Sequence, residues 1–162
     1  MNTPGIIILA AGLGARFRQA GGVGNKLLAP LADGALLLEQ TLAHAQASGL
    51  PPVVVTRPEY AEILTLAQAG WLIVPGDMAW ITAEDHRRVA QALAEGAEQV
   101  RLCWQGLPGH PVGFSAAYRE RLLALRGDCG ARALLDPALL RAIDAHPGVI
   151  RDADLPGLSG RF

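Results

Sequence analysis

The sequence has few of the features that mark disulfide-stabilised, membrane-spanning or nucleic-acid-binding proteins. Only two of its 162 residues are cysteines, and because Cys103 lies in an alternating apolar run we expect it and Cys129 to be reduced thiols. No apolar run reaches the roughly eighteen residues that cross a bilayer, and the start, MNTPG, does not resemble a signal peptide, which predicts a cytoplasmic protein. Lysine and arginine number 14 against 15 acidic residues, so the basic excess that nucleic acid or an anionic membrane selects is missing. We therefore expect a small anionic ligand.

The composition predicts a folded chain of the α/β class. Apolar residues make up 51% and charged residues 18%, which is enough apolar material for a core, and 162 residues are typical of a single domain, 1–162. Segments with the pattern of strands alternate with segments that have the pattern of helices, as in a mostly parallel sheet flanked by helices. The predicted strands cover 6–9, 53–56, 71–74, 99–104 and 149–150, and the predicted helices cover 36–47, 59–69, 83–95, 116–125 and 137–145.

Three of the predicted helices have a marked beginning. Thr82 and Asp85 have the spacing of a capping box, Ser115 is a plausible cap, and Asp136 precedes a proline, as at many helix N-termini. The three tryptophans are expected in the core or at its rim rather than as platforms for a nucleotide base.

A glycine-rich, cationic segment follows the first predicted strand. In open parallel sheets, ligands lie beyond the carboxyl ends of the strands, and glycines there let backbone N–H groups approach phosphate oxygens. Gly12 and Gly14 occupy this turn, and Arg16 and Lys26 add charges that can bind phosphates. The segment lacks the G-x-x-x-x-G-K-[ST] pattern of a P-loop, and Phe17 breaks the dinucleotide pattern G-x-G-x-x-G.

Four motifs carry a resemblance to a known family. They are "LAAGLGAR" with the following "KLL", "GDM" at 76–78, the pair "GHPVGF" at 109–114 and "GDCGARALL" at 127–135, and "DADLP" at 152–156. Together they resemble the nucleotidyltransferases of the molybdenum-cofactor cytidylyltransferase and guanylyltransferase group, which have a Rossmann-like fold. Ala11 and the two paired motifs favour the cytidylyl branch.

The resemblance implies a role for each matched residue. Leu9, Ala10, Ala11, Gly12 and Gly14 would bind the nucleotide with Arg16 and Lys26, and Asp77 would hold Mg²⁺ with Asp154. His110, Asp128 and Arg132 would lie near a pterin phosphate acceptor. The implied catalytic residues are Arg16, Lys26 and Asp77.

Simpler interpretations exist for several of these residues. Asp77 and Asp128 each follow a glycine and could be turn residues, and His110 could shape a tight loop. Arg132 could be a solvated surface charge, whereas Arg18 is a further candidate for phosphate binding.

The sequence departs from the family pattern in two places. Nine residues, 17–25, separate Arg16 from Lys26, where the family loop is tighter. Between the second and third predicted strands there is room for only one helix, "RPEYAEILTLAQAG", where family members have a further strand and a segment that helps to enclose the nucleotide. A shortened middle could weaken affinity or base choice.

The predicted activity is the Mg²⁺-dependent transfer of CMP, or GMP, from CTP or GTP to a molybdopterin-type phosphate, with release of pyrophosphate. Two alternatives stay open. One is a nucleotidyltransferase that acts on a sugar or alcohol phosphate, and the other is a catalytically impaired accessory protein that binds nucleotide or cofactor and delivers it to a molybdoenzyme or its chaperone.

Overall fold

The fold is a six-stranded mixed sheet with helices on its faces. The computed structural model describes residues 4–9, 30–55, 69–125 and 130–151, with the side chains of 53–55 left out. In chain order the elements are β1 (Gly5–Leu9), α1 (Leu37–Ala47), β2 (Pro52–Val55), β3 (Gly70–Pro75), α2 (Ala83–Ala94), β4 (Gln99–Trp104), β5 (Leu107–Ser115), α3 (Arg119–Leu123) and β6 (Leu140–Asp144). Short 3₁₀ helices cover Ala116–Tyr118, Ala131–Leu134 and Pro147–Ile150.

The strand order is β2-β1-β3-β5-β4-β6. β1 pairs in parallel with β2 and β3, β4 pairs in parallel with β6, and β5 runs antiparallel to both β3 and β4. Five strands therefore point the same way, which confirms the predicted α/β class with a mostly parallel sheet. Within the described ranges, no helix is both long and apolar enough to traverse a bilayer.

Two apolar layers cover the faces of the sheet. Alternate residues of β1 separate them: Ile6 and Ile8 belong to the layer beneath α1 and α2, whereas Ile7 belongs to the layer on the opposite face. Trp71, Phe114 and Tyr118 dominate that second layer and are each at most 1% exposed. Trp71 is thus a core residue, as predicted.

The structure confirms the early strands and the two large helices to within one or two residues. In α1 the buried residues Leu37, Thr41 and Ala45 lie on the predicted face. At α2 the Asp85 amide donates to the Thr82 hydroxyl at 3.3 Å, and the Thr82 amide donates to the Asp85 carboxylate at 2.7 Å, which is the predicted capping box. The predicted helix over 59–69 lies outside the described residues, apart from its last residue.

The predicted helix over 137–145 is wrong. Asp136 does begin a helical turn, because its carboxylate accepts from the Ala138 amide and its carbonyl from the Leu140 amide, both at 2.9 Å. The chain then extends as β6 and pairs with β4, from Gln99↔Leu140 to Cys103↔Asp144. The free edge of β4 offers a full set of backbone hydrogen bonds, and this non-local pairing overrides the local preference for a helix.

Of two further predicted elements in the second half of the chain, one is wrong and one is confirmed in shortened form. Residues 149–150, predicted as a strand, belong to a 3₁₀ helix whose first turn is capped by His146, which accepts from the Gly148 amide at 3.1 Å. The predicted helix over 116–125 is confirmed as a helical segment over residues 116–123, a 3₁₀ turn followed by the five-residue α3, but the Ser115 side chain makes no capping hydrogen bond.

The segment 107–115 was not predicted as a strand, because prolines and glycines interrupt it. It nevertheless forms β5, and the pairing register with β4 shifts between Arg101 and Cys103. The peptide bond between His110 and Pro111 is cis. A shift in pairing register is a place where a sheet tolerates proline. The prolines and glycines of this segment therefore mark a bulge within a strand rather than the absence of a strand.

Candidate active site

The end of β1 and the start of the GDM motif meet at one edge of the sheet. Leu9 and Pro75 are the last residues of β1 and β3 and are paired in register. The Gly76 amide donates to the Leu9 carbonyl at 2.7 Å, which continues the pairing one residue beyond the strands. Leu9, the residue that precedes the glycine-rich segment in the sequence, therefore lies beside the turn that carries Asp77.

Helix α1 fixes the turn that carries Asp77. The Thr41 hydroxyl, at the buried face of α1, donates to the Gly76 carbonyl at 2.9 Å, and the Gln40 amide donates to the Ala79 carbonyl at 2.9 Å. These two bonds hold the backbone on both sides of Asp77, whose exposed fraction is only 8%. A carboxylate at the carboxyl end of a central strand, on an anchored turn, is suited to holding a hard cation against a phosphate.

His110 lies toward the same edge, because β5 runs antiparallel to β3 and therefore starts where β3 ends. Burial, and to a smaller extent the nearby positive charge of Arg101, lowers the pKa of His110 to about 4. The imidazole is therefore neutral near pH 7, so it can exchange a hydrogen bond with a ligand but cannot supply a positive charge.

Arg101 is a residue that the sequence analysis missed. Its Nε and Nη2 donate to the Gly109 carbonyl at 3.3 and 3.1 Å, immediately before His110. The alternation of β4 contained the signal, since Val100 and Leu102 are buried on one face and the arginine between them must lie on the other.

Arg132 is exposed and lies in the 3₁₀ helix Ala131–Leu134. Its positive charge acts on Arg101. The pKa of the Arg101 guanidinium is lowered mainly by burial and also by the charge of Arg132. Arg132 and His110 are thus both close enough to Arg101 to interact with its charge. Leu9 and Asp77 form a separate group at the carboxyl ends of β1 and β3.

The last described residues reach the same edge. The guanidinium of Arg151 lies 3.6 Å from the centroid of the Trp80 ring, three residues after Asp77. A Cβ on Gly148 would come within 2.5 Å of the Trp80 carbonyl, and one on Gly109 within 2.5 Å of the Val149 carbonyl. This close packing joins the Asp77 turn, the His110 bulge and the carboxyl-terminal segment.

Several predicted site residues lie outside the described residues. They are Ala10, Ala11, Gly12, Gly14, Arg16, Arg18, Lys26, Asp128 and Asp154. Cys129 is also outside, and Cys103 is a free thiol as predicted.

Of the two carboxylates proposed for the metal site, that of Asp77 lies among the described residues. Within 4–9, 30–55, 69–125 and 130–151, no group of three or more His, Cys, Asp or Glu side chains could enclose a metal ion. Mg²⁺ is commonly held by one or two carboxylates together with substrate phosphates and water, and Asp77 fits that mode.

Solved structures share this fold. A homologue of Mycobacterium tuberculosis Rv0371c from Mycobacterium sp. strain JC1 is 25% identical and has a TM-score of 0.72, with 93% of this chain and 89% of that chain covered. M. tuberculosis Rv0371c in complex with manganese is 22% identical, with a TM-score of 0.67 and coverage of 89% and 90%. The 2-C-methyl-D-erythritol 4-phosphate cytidylyltransferase of Thermus thermophilus is 19% identical, with a TM-score of 0.60 and coverage of 93% and 92%.

A family model decides the assignment. No curated protein sequence is significantly similar to the chain. The model of the MobA-like NTP transferase domain matches residues 6–69 and 60–145, which is most of the chain and includes the β1 end, Asp77, the β5 bulge and Arg132. The protein is therefore a member of the MobA-like NTP transferase family and has its Rossmann-like nucleotidyltransferase fold.

Proposed function

We propose that the protein is a Mg²⁺-dependent nucleotidyltransferase that transfers CMP or GMP from the corresponding triphosphate to a molybdopterin-type phosphate. The observation that carries this proposal is the position of Asp77, whose turn is anchored by α1 and lies beside Leu9, the residue that precedes the glycine-rich segment in the sequence. The motifs described above, in register along nearly the whole chain, support the pterin acceptor and the cytidylyl branch.

The reaction joins two phosphates. An oxygen of the acceptor phosphate attacks the α-phosphorus of the nucleoside triphosphate, the bond from that phosphorus to the bridging oxygen breaks, and pyrophosphate leaves with the bonding electrons. When bound, Mg²⁺ would neutralise charge that develops on the phosphate oxygens. Asp77 holds that ion, and Arg16 and Lys26 bind the β- and γ-phosphates as they depart.

Asp154 is the second proposed carboxylate of the metal site. It follows Arg151 by three residues in the sequence, and Arg151 stacks on Trp80 next to the Asp77 turn. Rv0371c, which shares this fold, has a structure in complex with manganese, and this supports a divalent ion at the proposed site.

The closest alternative is transfer to a sugar or alcohol phosphate. It is favoured by the structural likeness to 2-C-methyl-D-erythritol 4-phosphate cytidylyltransferase, which acts on a phosphorylated alcohol. The accessory-protein alternative draws on the sequence between β2 and β3, which is shorter than the family pattern and would supply fewer contacts to a nucleotide.

The test is pyrophosphate release from Mg²⁺, each of the four nucleoside triphosphates, and either isolated pterin cofactor or a panel of sugar and alcohol phosphates. We expect release with CTP or GTP and the pterin. Asp77→Asn, which keeps the size of the side chain, should lower turnover at least about a hundredfold because it removes the charge that holds the ion. Asp144→Asn, an exposed carboxylate on β6, is the matched control and should leave turnover unchanged. Binding of nucleotide and pterin without any release would support the accessory protein instead.

A further inference from the structure

Arg101 lies on the face of the sheet opposite α1 and α2. Its cross-strand partner is Val112, which packs with Ile7 and Ile73 in the second apolar layer. Directly paired residues share a face, so the Arg101 side chain extends over this layer toward Gly109. Two of its nitrogens are held by the Gly109 carbonyl, and among the described residues Nη1 has no hydrogen-bond acceptor.

The 3₁₀ helix Ala131–Leu134 covers the same face next to Arg101. Gln99, two residues earlier on β4, is fully buried; its amide donates to the Leu134 carbonyl at 2.7 Å and accepts from the Asp136 amide at 2.9 Å. These bonds fix the segment that carries Arg132 beside Arg101. This placement agrees with the lowered pKa of Arg101, because burial and the charge of Arg132 both disfavour its protonated form.

Neither guanidinium group forms an ion pair with a carboxylate within the part of the chain that the structure describes, although Cys103 opposes the lowering of the pKa of Arg101. Three other arginines there form ion pairs, Arg87 with Glu84, Arg119 with Glu120 and Arg141 with Glu95, at 2.9 to 3.5 Å, whereas Arg88 donates to the Asp144 carbonyl and Arg121 lies over the Tyr118 ring. Arg101 and Arg132 form no such ion pair among the described residues. Two like charges held together in a half-buried site repel each other, and a bound anion would remove that cost.

We propose that Arg101 binds the phosphate of the acceptor substrate, with Arg132 as the second cation of the site, an assignment that rests on the transferase function proposed above. The Gly109 carbonyl fixes the guanidinium so that its remaining N–H groups are available to the anion. Neutral His110, the next residue, contributes a hydrogen bond. The β5 bulge thereby presents the attacking phosphate at the edge where the Asp77 turn lies.

A titration with inorganic phosphate tests the site without any turnover. The protein is titrated at constant ionic strength, with chloride as the balancing ion, while the ¹H–¹⁵N signal of the Arg101 Nε is followed by NMR and assigned by its loss in Arg101→Lys. We expect a saturable shift, and Arg132→Ala should weaken phosphate binding about tenfold. Arg141→Ala, on the opposite face, is the control and should leave the affinity unchanged. A signal that does not move with phosphate overturns the proposal.

Kinetics separate an anion-binding role from a merely structural one. Arg101→Met should raise KM for the acceptor about tenfold or more and leave KM for the nucleotide within about twofold, and Arg101→Lys should recover part of the loss because it keeps the charge. If Arg101→Met does not fold, exposed Arg132→Ala serves for the same measurement. Equal losses in the Lys and Met variants, with unchanged acceptor KM in Arg132→Ala, would reduce Arg101 to a support for the Gly109 carbonyl and overturn the proposal. No turnover with any acceptor, together with a phosphate-dependent Arg101 signal, would refute the transferase and support the anion site.

Discussion

His86 gives the protein a sharp dependence of stability on pH. It lies on the buried face of α2 and is 1% exposed, and among the described residues its Nδ1 has no hydrogen-bond partner. Burial lowers the pKa of His86 to about 4; the charge of Asp85 opposes this shift, and His44 adds to it. An unfolded chain binds a proton at this residue near its ordinary pKa of 6.5, whereas the folded chain does not. The contribution of neutral His86 to the free energy of unfolding is therefore fully present above about pH 6.5 and is lost as the pH falls toward 4.

The size of the effect follows from the two pKa values. Between about pH 7.5 and pH 5.0, a shift from 6.5 to about 4 removes about 2 kcal/mol from the free energy of unfolding. That is a large part of the roughly 5–15 kcal/mol that stabilises a domain, so it is measurable by urea denaturation at the two pH values.

The substitution His86→Gln removes the titrating group. The loss in free energy of unfolding that comes from replacing the buried side chain is the same at both pH values. It therefore cancels when the two pH values are compared. We expect the variant to lose about 2 kcal/mol less than the wild-type protein between the two pH values, whereas Gln91→Ala, on the exposed face of the same helix, should behave as the wild type. An equal loss in His86→Gln and wild type would show that His86 is not held neutral in the folded protein and would refute this reasoning.

Three other substitutions test the geometry of the site and its supports. Gly109→Ala would place a Cβ 2.5 Å from the Val149 carbonyl; backbone must move, and we expect a loss of about 1–3 kcal/mol by denaturation, with weaker acceptor binding as the bulge shifts. Thr82→Ala removes the cap of α2 and should cost about 1 kcal/mol, a value that Thr82→Ser should largely restore. Thr41→Val keeps the shape of the side chain but leaves the Gly76 carbonyl without its donor; it should cost about 1–3 kcal/mol and lower turnover, and unchanged turnover would mean that the Asp77 turn does not depend on α1.

Local patterns in the sequence were sufficient for the first half of the fold. The unbroken apolar runs of β1 and β3, the face of α1 and the capping box of α2 each depend on residues within a few positions of one another. The position of Asp77 just after β3 also followed from local pattern. Once a parallel sheet is expected, the carboxyl ends of its strands meet at one edge, which places Asp77 near the end of β1.

Long-range pairing decided the rest. Asp136 starts a helical turn, as its sequence predicts, but the free edge of β4 converts the following residues into β6. Likewise, β5 is a strand in spite of its prolines because β3 and β4 pair with it on both sides and the irregularity falls at the bulge. The sequence by itself therefore supplied the residues proposed to bind phosphate and metal, because they belong to local motifs. Only the tertiary structure placed Arg101, a residue without any motif, between His110 and Arg132, because strand register and the Gly109 carbonyl bring these distant segments to one face.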